Sequence, residues 1–406
     1  MTEIWLVRHG ETTANAAGVW QGQGSAALSG RGRQQAAAVG ERLARIAFDL
    51  VLASDLERTR ATALAAGLRA DPDPAWREMD IGRWEGLTRE EVFRRYPDEL
   101  QALASGEDIP MGGGETWGDF CARVDGALAA LHARLRPGER ALVVTHGGTI
   151  HTLIAAVLRF RARGRPWPLE HGHNTAITVL VDEGSGLRVR SLNDAAHLGT
   201  APVPDGATTV VGLARHGESE ANTVGIWHGI TDGPLSPRGR EQGEELSARY
   251  DTVDHLYSSH LQRARLTAAA FGTRRGLEPT VHPDLHEMSY GNWEGLTSEQ
   301  IQELFPDDWA ANYVHGGDEP RGRTGETAAG AAARMRRAVE EIAAAHPGAR
   351  VLAFSHGGAI RACVGGILGL GAAARDLLES PGNASVTHLR VGPEGTVVID
   401  YNSGVA

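Results

Sequence analysis

Short apolar, β-prone runs alternate along the chain with stretches in which apolar residues recur at helical spacing. Residues 4–7 and 210–214 are runs of the first kind, and each leads into an Arg-His-Gly triplet. An apolar run this short, stopped by a glycine turn, predicts a buried strand. Residues 50–53, 255–258, 141–145 and 350–355 predict strands by the same rule. Ala36, Val39, Leu43 and Ile46 share a helical face after Ser29, whose hydroxyl oxygen can accept from the first free amides; Phe120, Val124, Leu128, Leu131 and Leu135 mark another helix. In the matching stretch of the second half, Pro237 follows Ser236 at a first helical position. Helices are expected over 149–158 and 359–368, and each half closes on paired strands, 176–181 with 187–192 and 386–391 with 396–400. Strands and helices in alternation predict an α/β fold.

The pattern occurs twice. Arg8-His9-Gly10-Glu11-Thr12 with Asn15 is answered by Arg215-His216-Gly217-Glu218-Ser219 with Asn222. Glu57-Arg58-Thr59-Arg60 corresponds to Gln262-Arg263-Ala264-Arg265, Glu78-Met79 to Glu287-Met288, and His146-Gly147-Gly148 to His356-Gly357-Gly358. The displacements are 207 residues from His9 to His216, 205 from Arg58 to Arg263, 209 from Glu78 to Glu287 and 210 from His146 to His356. A period this long is a duplication, not a solenoid. The chain of 406 residues also exceeds the size at which one core keeps growing. Residues 193–208, rich in Ala, Pro, Gly and Asp, break the periodicity. The expected organisation is a first domain over 1–197, a linker over 198–207 and a second domain over 208–406.

Each leading His is expected at the carboxyl end of a strand, where open α/β sheets bind ligands. An Arg beside it implies an anion. The later strand, His, paired glycines and helix start offer free amides and close backbone approach, which also suit an anion.

These ordered motifs resemble the signature of the histidine phosphatase (phosphoglycerate mutase-like) superfamily, in two tandem copies that cover nearly the whole chain outside the linker. The resemblance implies two three-layer α/β/α domains, each on a mostly parallel sheet. It implies that His9 and His216 are nucleophiles forming a phosphohistidine and that Glu78 and Glu287 are the proton donors. It implies that Arg8, Asn15, Arg58 and His146, with Arg215, Asn222, Arg263 and His356, bind the phosphate. The neighbouring Arg8 disfavours a protonated His9 by like-charge repulsion, and the acids must be protonated to donate. Glu85 and Glu294 recur as well, and the residues alone leave them open as acids. Arg60 and Arg265 read as solvated helix charges, and Trp84 and Trp293 as packing beneath the site.

The expected activity is metal-independent hydrolysis of small-molecule phosphomonoesters, a phosphomonoesterase of the histidine acid phosphatase type, at two sites with different substrates. The alternatives are mutase-type phosphoryl transfer, and one catalytic half beside a binding or scaffolding half. No cofactor and no metal is implied; His171 and His173 lack carboxylate or Cys partners nearby in the sequence and have no counterparts in the second half. After Gly86 and Gly295 the halves diverge, Arg89, Arg94 and Arg95 giving the first cap a basic lean where the second has Glu299, Glu303, Asp307 and Asp308 before Arg321 and Arg323. Five residues past the second His, His151 stands against Arg361. Residues 24–29 lack the Asp and Pro of 231–236, which predicts a looser loop beside the first site.

A formal net charge of -11 argues against sequence-independent nucleic-acid binding, and no apolar run is long enough to span a bilayer. A soluble, cytoplasmic protein acting on small phosphate esters is expected, without nucleic-acid or membrane partners. Cys121 and Cys363 lie in different halves within helical patterns, so they read as buried small hydrophobes and not as a disulfide.

Overall fold

The computed structural model describes residues 1–160, 167–199, 201–250 and 252–404; Thr200, within the expected linker, lies outside them. The chain divides into two compact units, one of Met1–Trp167 with His171–Leu198, the other of Pro168–Glu170 with Gly199–Ala406.

The first unit runs β1 (Thr2–Arg8), α1 (Thr13–Ala16), α2 (Gly30–Leu43), β2 (Leu50–Ala53), α3 (Glu57–Ala65), β3 (Asp71–Pro72), α4 (Arg89–Arg95), α5 (Pro97–Ala104), α6 (Trp117–Arg134), β4 (Arg140–Thr145), α7 (Gly147–Val157), β5 (Ile177–Asp182) and β6 (Leu187–Asp194). The strand order is β3-β2-β4-β1-β5-β6. β1 and β2 pair with β4 in parallel and β2 with β3 likewise, while β5 and β6 join antiparallel at the far edge. β1 and β4 therefore lie side by side at the centre and end at the same level, Arg8 opposite Thr145, which brings His9 and His146 together. β1 is buried over Thr2–Val7, as expected of a strand covered on both faces.

The helices follow their sequence signals. Ser29 accepts from Gly32 N, and the helix it opens buries Ala36, Val39 and Leu43 against the sheet. That helix stops at Leu43, so Ile46 packs from the loop beyond it; Leu135 likewise follows α6 in extended conformation. Asn193 and Asp194, read with the linker, belong to β6.

The second unit repeats the plan with β7 (Thr209–Arg215), α8 (Glu220–Thr223), α9 (Pro237–Arg249), β8 (His255–Ser258), α10 (Gln262–Arg275), β9 (Thr280–Val281), α11 (Ser298–Leu304), α12 (Pro306–Tyr313), α13 (Ala328–Ala345), β10 (Arg350–Ser355), α14 (Gly357–Ile367), α15 (Ala374–Leu377), β11 (Val386–Gly392) and β12 (Gly395–Val398). Its order, β12-β11-β7-β10-β8-β9, is the first sheet's with corresponding strands in the same places. Pro237 occupies the start of α9, with Ser236 as its cap. Each unit is thus a mostly parallel six-stranded sheet with helices, the expected α/β class. No helix among the described residues is long and apolar enough to cross a membrane. Cys363 is buried in α14 and Cys121 half-buried in α6, with no disulfide between them.

Candidate active sites

At the end of β1, the ring of His9 is 4% exposed and stands 5.3 Å, centroid to centroid, from the ring of His146 at the end of β4. His9 Nδ1 lies 2.7 Å from the carbonyl of Gly10. A carbonyl only accepts, so Nδ1 carries the proton and Nε2 keeps its lone pair. The second site repeats the arrangement, with 5.1 Å between His216 and His356 and 2.6 Å from His216 Nδ1 to the carbonyl of Gly217. Burial holds both leading imidazoles well below the ordinary histidine value, and the flanking arginines, Arg8 with Arg58 and Arg215 with Arg263, push the same way. Burial is the larger cause; the like-charge repulsion read from the sequence is the smaller one.

Arg8 leaves β1 half-buried and donates to the Gly172 carbonyl at 2.6 Å; Arg215 donates to the Pro381 carbonyl at 2.5 Å. The Arg58 guanidinium is 1% exposed and donates to the carbonyls of Gly24 (2.8 Å) and Gly22 (2.6 Å). Its Nε donates to His146 Nδ1 at 3.2 Å. Burial draws Arg58 down to about 10, against the pull of Glu78 and Glu85, so it stays charged at neutral pH. Arg263 makes the matching bonds to Thr231 and Gly229. The trailing histidines differ in one respect. Nε2 of each meets a serine hydroxyl, Ser54 at 2.9 Å and Ser259 at 3.0 Å, but His356 Nδ1 has no partner among the described residues where His146 Nδ1 accepts from Arg58.

The carboxylates of Glu78 and Glu287 reach the first turn of the following helix. Glu78 Oε2 accepts from Gly148 N at 2.8 Å; Glu287 accepts from Gly358 N at 3.0 Å and Ala359 N at 2.7 Å. This approach explains the second glycine of each pair. A Cβ at Gly148 would lie 2.4 Å from Glu78 Oε1, and one at Gly358 2.8 Å from Glu287 Oε1.

Asn15 sits in a capping box with Thr12, its Oδ1 also accepting from Asn174 Nδ2 at 3.3 Å; Asn222, Ser219 and Asn383 do the same. All twelve residues expected at the two sites therefore gather in two clusters of six at corresponding sheet ends. Arg60 and Arg265 are exposed on their helices, and Trp84 and Trp293 are buried.

The profile of the histidine phosphatase superfamily (branch 1) matches residues 4–195 and again 211–404. The chain belongs to the histidine phosphatase superfamily. A metal-independent phosphoserine phosphatase of Arabidopsis thaliana is 34% identical over 207 residues, 49% of this chain and 84% of that protein. A probable phosphoglycerate mutase of Erwinia tasmaniensis is 36% identical over 39% of this chain and 75% of its own length. Phosphoserine phosphatase 1 of Hydrogenobacter thermophilus is 33% identical over 39% and 75%. Among solved structures, a mycobacterial glucosyl-3-phosphoglycerate phosphatase aligns at 31% identity over 46% of this chain and 96% of that one, with a TM-score of 0.41.

Several supports of the two candidate sites carry no chemical motif in the sequence. Glu85 accepts from Gln23 N (2.6 Å) and Gly24 N (2.9 Å), holding the loop whose carbonyls seat Arg58. Glu294 grips Ile230 N and Thr231 N in the second half. The two carboxylates thus pin the loop in both halves, their recurrence being the signal, and in the second half Asp232 also accepts from Gln262 N at 2.7 Å, a tie that the first loop lacks the Asp to make. Thr62 and Thr267 accept from Gly10 N and Gly217 N, both at 3.0 Å, and their recurrence is their one signal in the sequence. Asn174 and Asn383 had no signal beyond recurrence itself.

The charged residues of the two caps are engaged differently. Arg95 is spent on Glu91 at the surface, and Arg89 lies over the exposed ring of Phe93. In the second half Glu299 and Glu303 face solvent, Asp308 pairs with Arg323, and Arg321 is 3% exposed. His171 stacks on His151 at 4.2 Å between centroids. Among the described residues no three His, Cys, Asp or Glu side chains are grouped to hold a metal ion.

Proposed function

We propose that both halves, residues 1–197 and 208–406, hydrolyse small phosphomonoesters without a metal ion, through phosphohistidines formed on His9 and His216. The observation that carries this reading is the Nδ1 contact to the carbonyl of the next residue in each half, which leaves Nε2 unprotonated beside a half-buried and a buried arginine. Relatives named as phosphoserine phosphatases support a phosphate ester of a small alcohol as substrate.

In the first half, Nε2 of His9 attacks phosphorus as the bond to the ester oxygen breaks. Glu78 gives its proton to the departing alkoxide. Arg8 and Arg58 hold the non-bridging oxygens as charge builds on them, their planar forks suited to that geometry. Asn15 adds a hydrogen bond, and His146, whose Nδ1 accepts from Arg58 Nε, holds that guanidinium in place. Glu78, now a carboxylate, takes a proton from water, whose oxygen attacks the phosphohistidine; the phosphorus–nitrogen bond breaks and inorganic phosphate leaves. His216, Glu287, Arg215, Arg263 and Asn222 take the same parts in the second half, and His356 differs from His146 in donating to the phosphate itself. In that half Ser259 Oγ accepts from Leu261 N at 3.2 Å, so its hydroxyl proton is available to His356 Nε2, leaving Nδ1–H to face the phosphate.

The test is phosphate release from a panel of phosphomonoesters in the presence of a strong chelator, for the intact chain, His9→Ala, His216→Ala and the double variant. Each single variant should lose a different subset of substrates, and the double variant should lose them all. Turnover that survives the double substitution, or that vanishes with the chelator, overturns the proposal.

A further inference from the structure

Beside Glu287 the second half has a narrow cleft lined by Tyr290, Tyr313, Arg321, Gly358, Arg361 and Arg375 among others. Gly358 joins it to the proposed proton donor, since its amide bonds Glu287 and a Cβ there would lie 2.5 Å from the Tyr290 hydroxyl. The alcohol part of an ester protonated by Glu287 therefore faces this cleft. Its three cations are not alike. Arg321 is spent on Asn312 and the carbonyl of Glu319, and Arg375 donates to the Gly317 carbonyl, with its guanidinium 5.1 Å from the centre of the Tyr313 ring. Arg361 is half-buried on α14 and has no hydrogen bond or ion pair among the described residues. The nearby carboxylate of Asp318 is committed to Ala328 N and Ala329 N at the start of α13.

At two of these positions the first half carries a different, uncharged group. His151, in place of Arg361, stacks on His171 and packs edge-on against Trp167, and burial holds it down to about 3, hence neutral. Ile81 stands where the second half has Tyr290.

Building on the proposal that the second half is a phosphatase, we infer that its preferred substrates are phosphomonoesters whose alcohol carries a carboxylate, and that Arg361 binds that group. A half-buried guanidinium without a protein partner is costly unless an anion meets it. One open guanidinium fork matches one carboxylate, whereas a second, doubly charged phosphate would call for more than one uncommitted cation.

The experiment uses the full chain carrying His9→Ala, so that turnover reports the second site. Phosphoglycolate is compared with 2-hydroxyethyl phosphate, which replaces the carboxylate by a neutral CH2OH. The carboxylate ester should be favoured in kcat/KM by about tenfold or more, mainly through KM. Arg361→Gln should bring the ratio near one, and Arg361→Lys should restore part of it. Equal use of both esters by the parent, or an equal fall on both in Arg361→Gln, overturns the inference while leaving the phosphatase reading intact. Failure of the His9→Ala chain to release phosphate from any ester would sink the underlying reading, and this inference with it.

Discussion

Glu85 accepts a hydrogen bond from the backbone N–H of Gly24 at 2.9 Å, and the carbonyl of the same glycine accepts from Arg58 at 2.8 Å. One residue of the loop is thus gripped on its N–H by a carboxylate and on its C=O by the arginine that the loop in turn holds in place. Glu85 thus reaches Arg58 through the loop, which is the part of a positioning residue.

Glu85→Gln keeps the size of the side chain but weakens its hold on two amides. In the His216→Ala background, kcat/KM for first-half substrates should fall by about 10- to 100-fold, the scale of a slightly misplaced binding group. The shape of the pH profile should not change. A profile that loses its acidic or basic limb would instead make Glu85 the proton donor.

Gly148→Ala brings a methyl group within 2.4 Å of Glu78 Oε1. The atom it meets is the end of a flexible side chain, so the carboxylate swings aside and the fold tolerates the change. The expected result is a loss of about 100-fold in kcat for first-half substrates, the scale of displacing a general acid, with a nearly unchanged melting temperature. Unaltered kcat would remove Glu78 from the mechanism.

His9, His146, His216 and His356 are all buried and all held well below their ordinary value. Above pH 6.5 these imidazoles are neutral in both the folded and the unfolded chain, and their effect on stability is constant. Below about 6.5 the unfolded chain takes up protons that the folded chain refuses, so stability falls as pH falls. The slope approaches about 1.4 kcal/mol per pH unit for each residue. Urea unfolding from pH 7 to pH 5 should show this decline, and the double variant His9→Asn, His216→Asn should make it shallower. An unchanged slope would mean that these rings accept protons in the folded state.

Trp84 is 1% exposed and packs against Trp20 and Tyr96, with centroids 5.7 and 6.2 Å away. Trp84→Ala should cost about 3–5 kcal/mol through lost burial and the cavity left behind, read as a lowered urea midpoint. A cost below about 1 kcal/mol would show that the ring is not packed as described.

The sequence by itself determined the α/β class, the duplication and the twelve residues gathered at the two sites. Its signals there were local: short apolar runs stopped by Arg-His-Gly, helix caps such as Ser29 and Ser236, and polar residues recurring at a nearly constant displacement. These depend on a few neighbouring positions, and so can be read along a line.

Tertiary structure alone decided the rest. That His9 faces His146 follows from the parallel register of β1 and β4 across more than a hundred residues. That Glu85 serves the loop and Glu78 the space before the histidines follows from which way each carboxylate points, and in sequence the two looked alike. What each cap arginine does was decided there too, because a count of arginines does not distinguish Arg95, paired with Glu91 at the surface, from Arg321, buried beside Asp318. Burial sets that difference, and burial is a property of what the rest of the chain packs around a side chain.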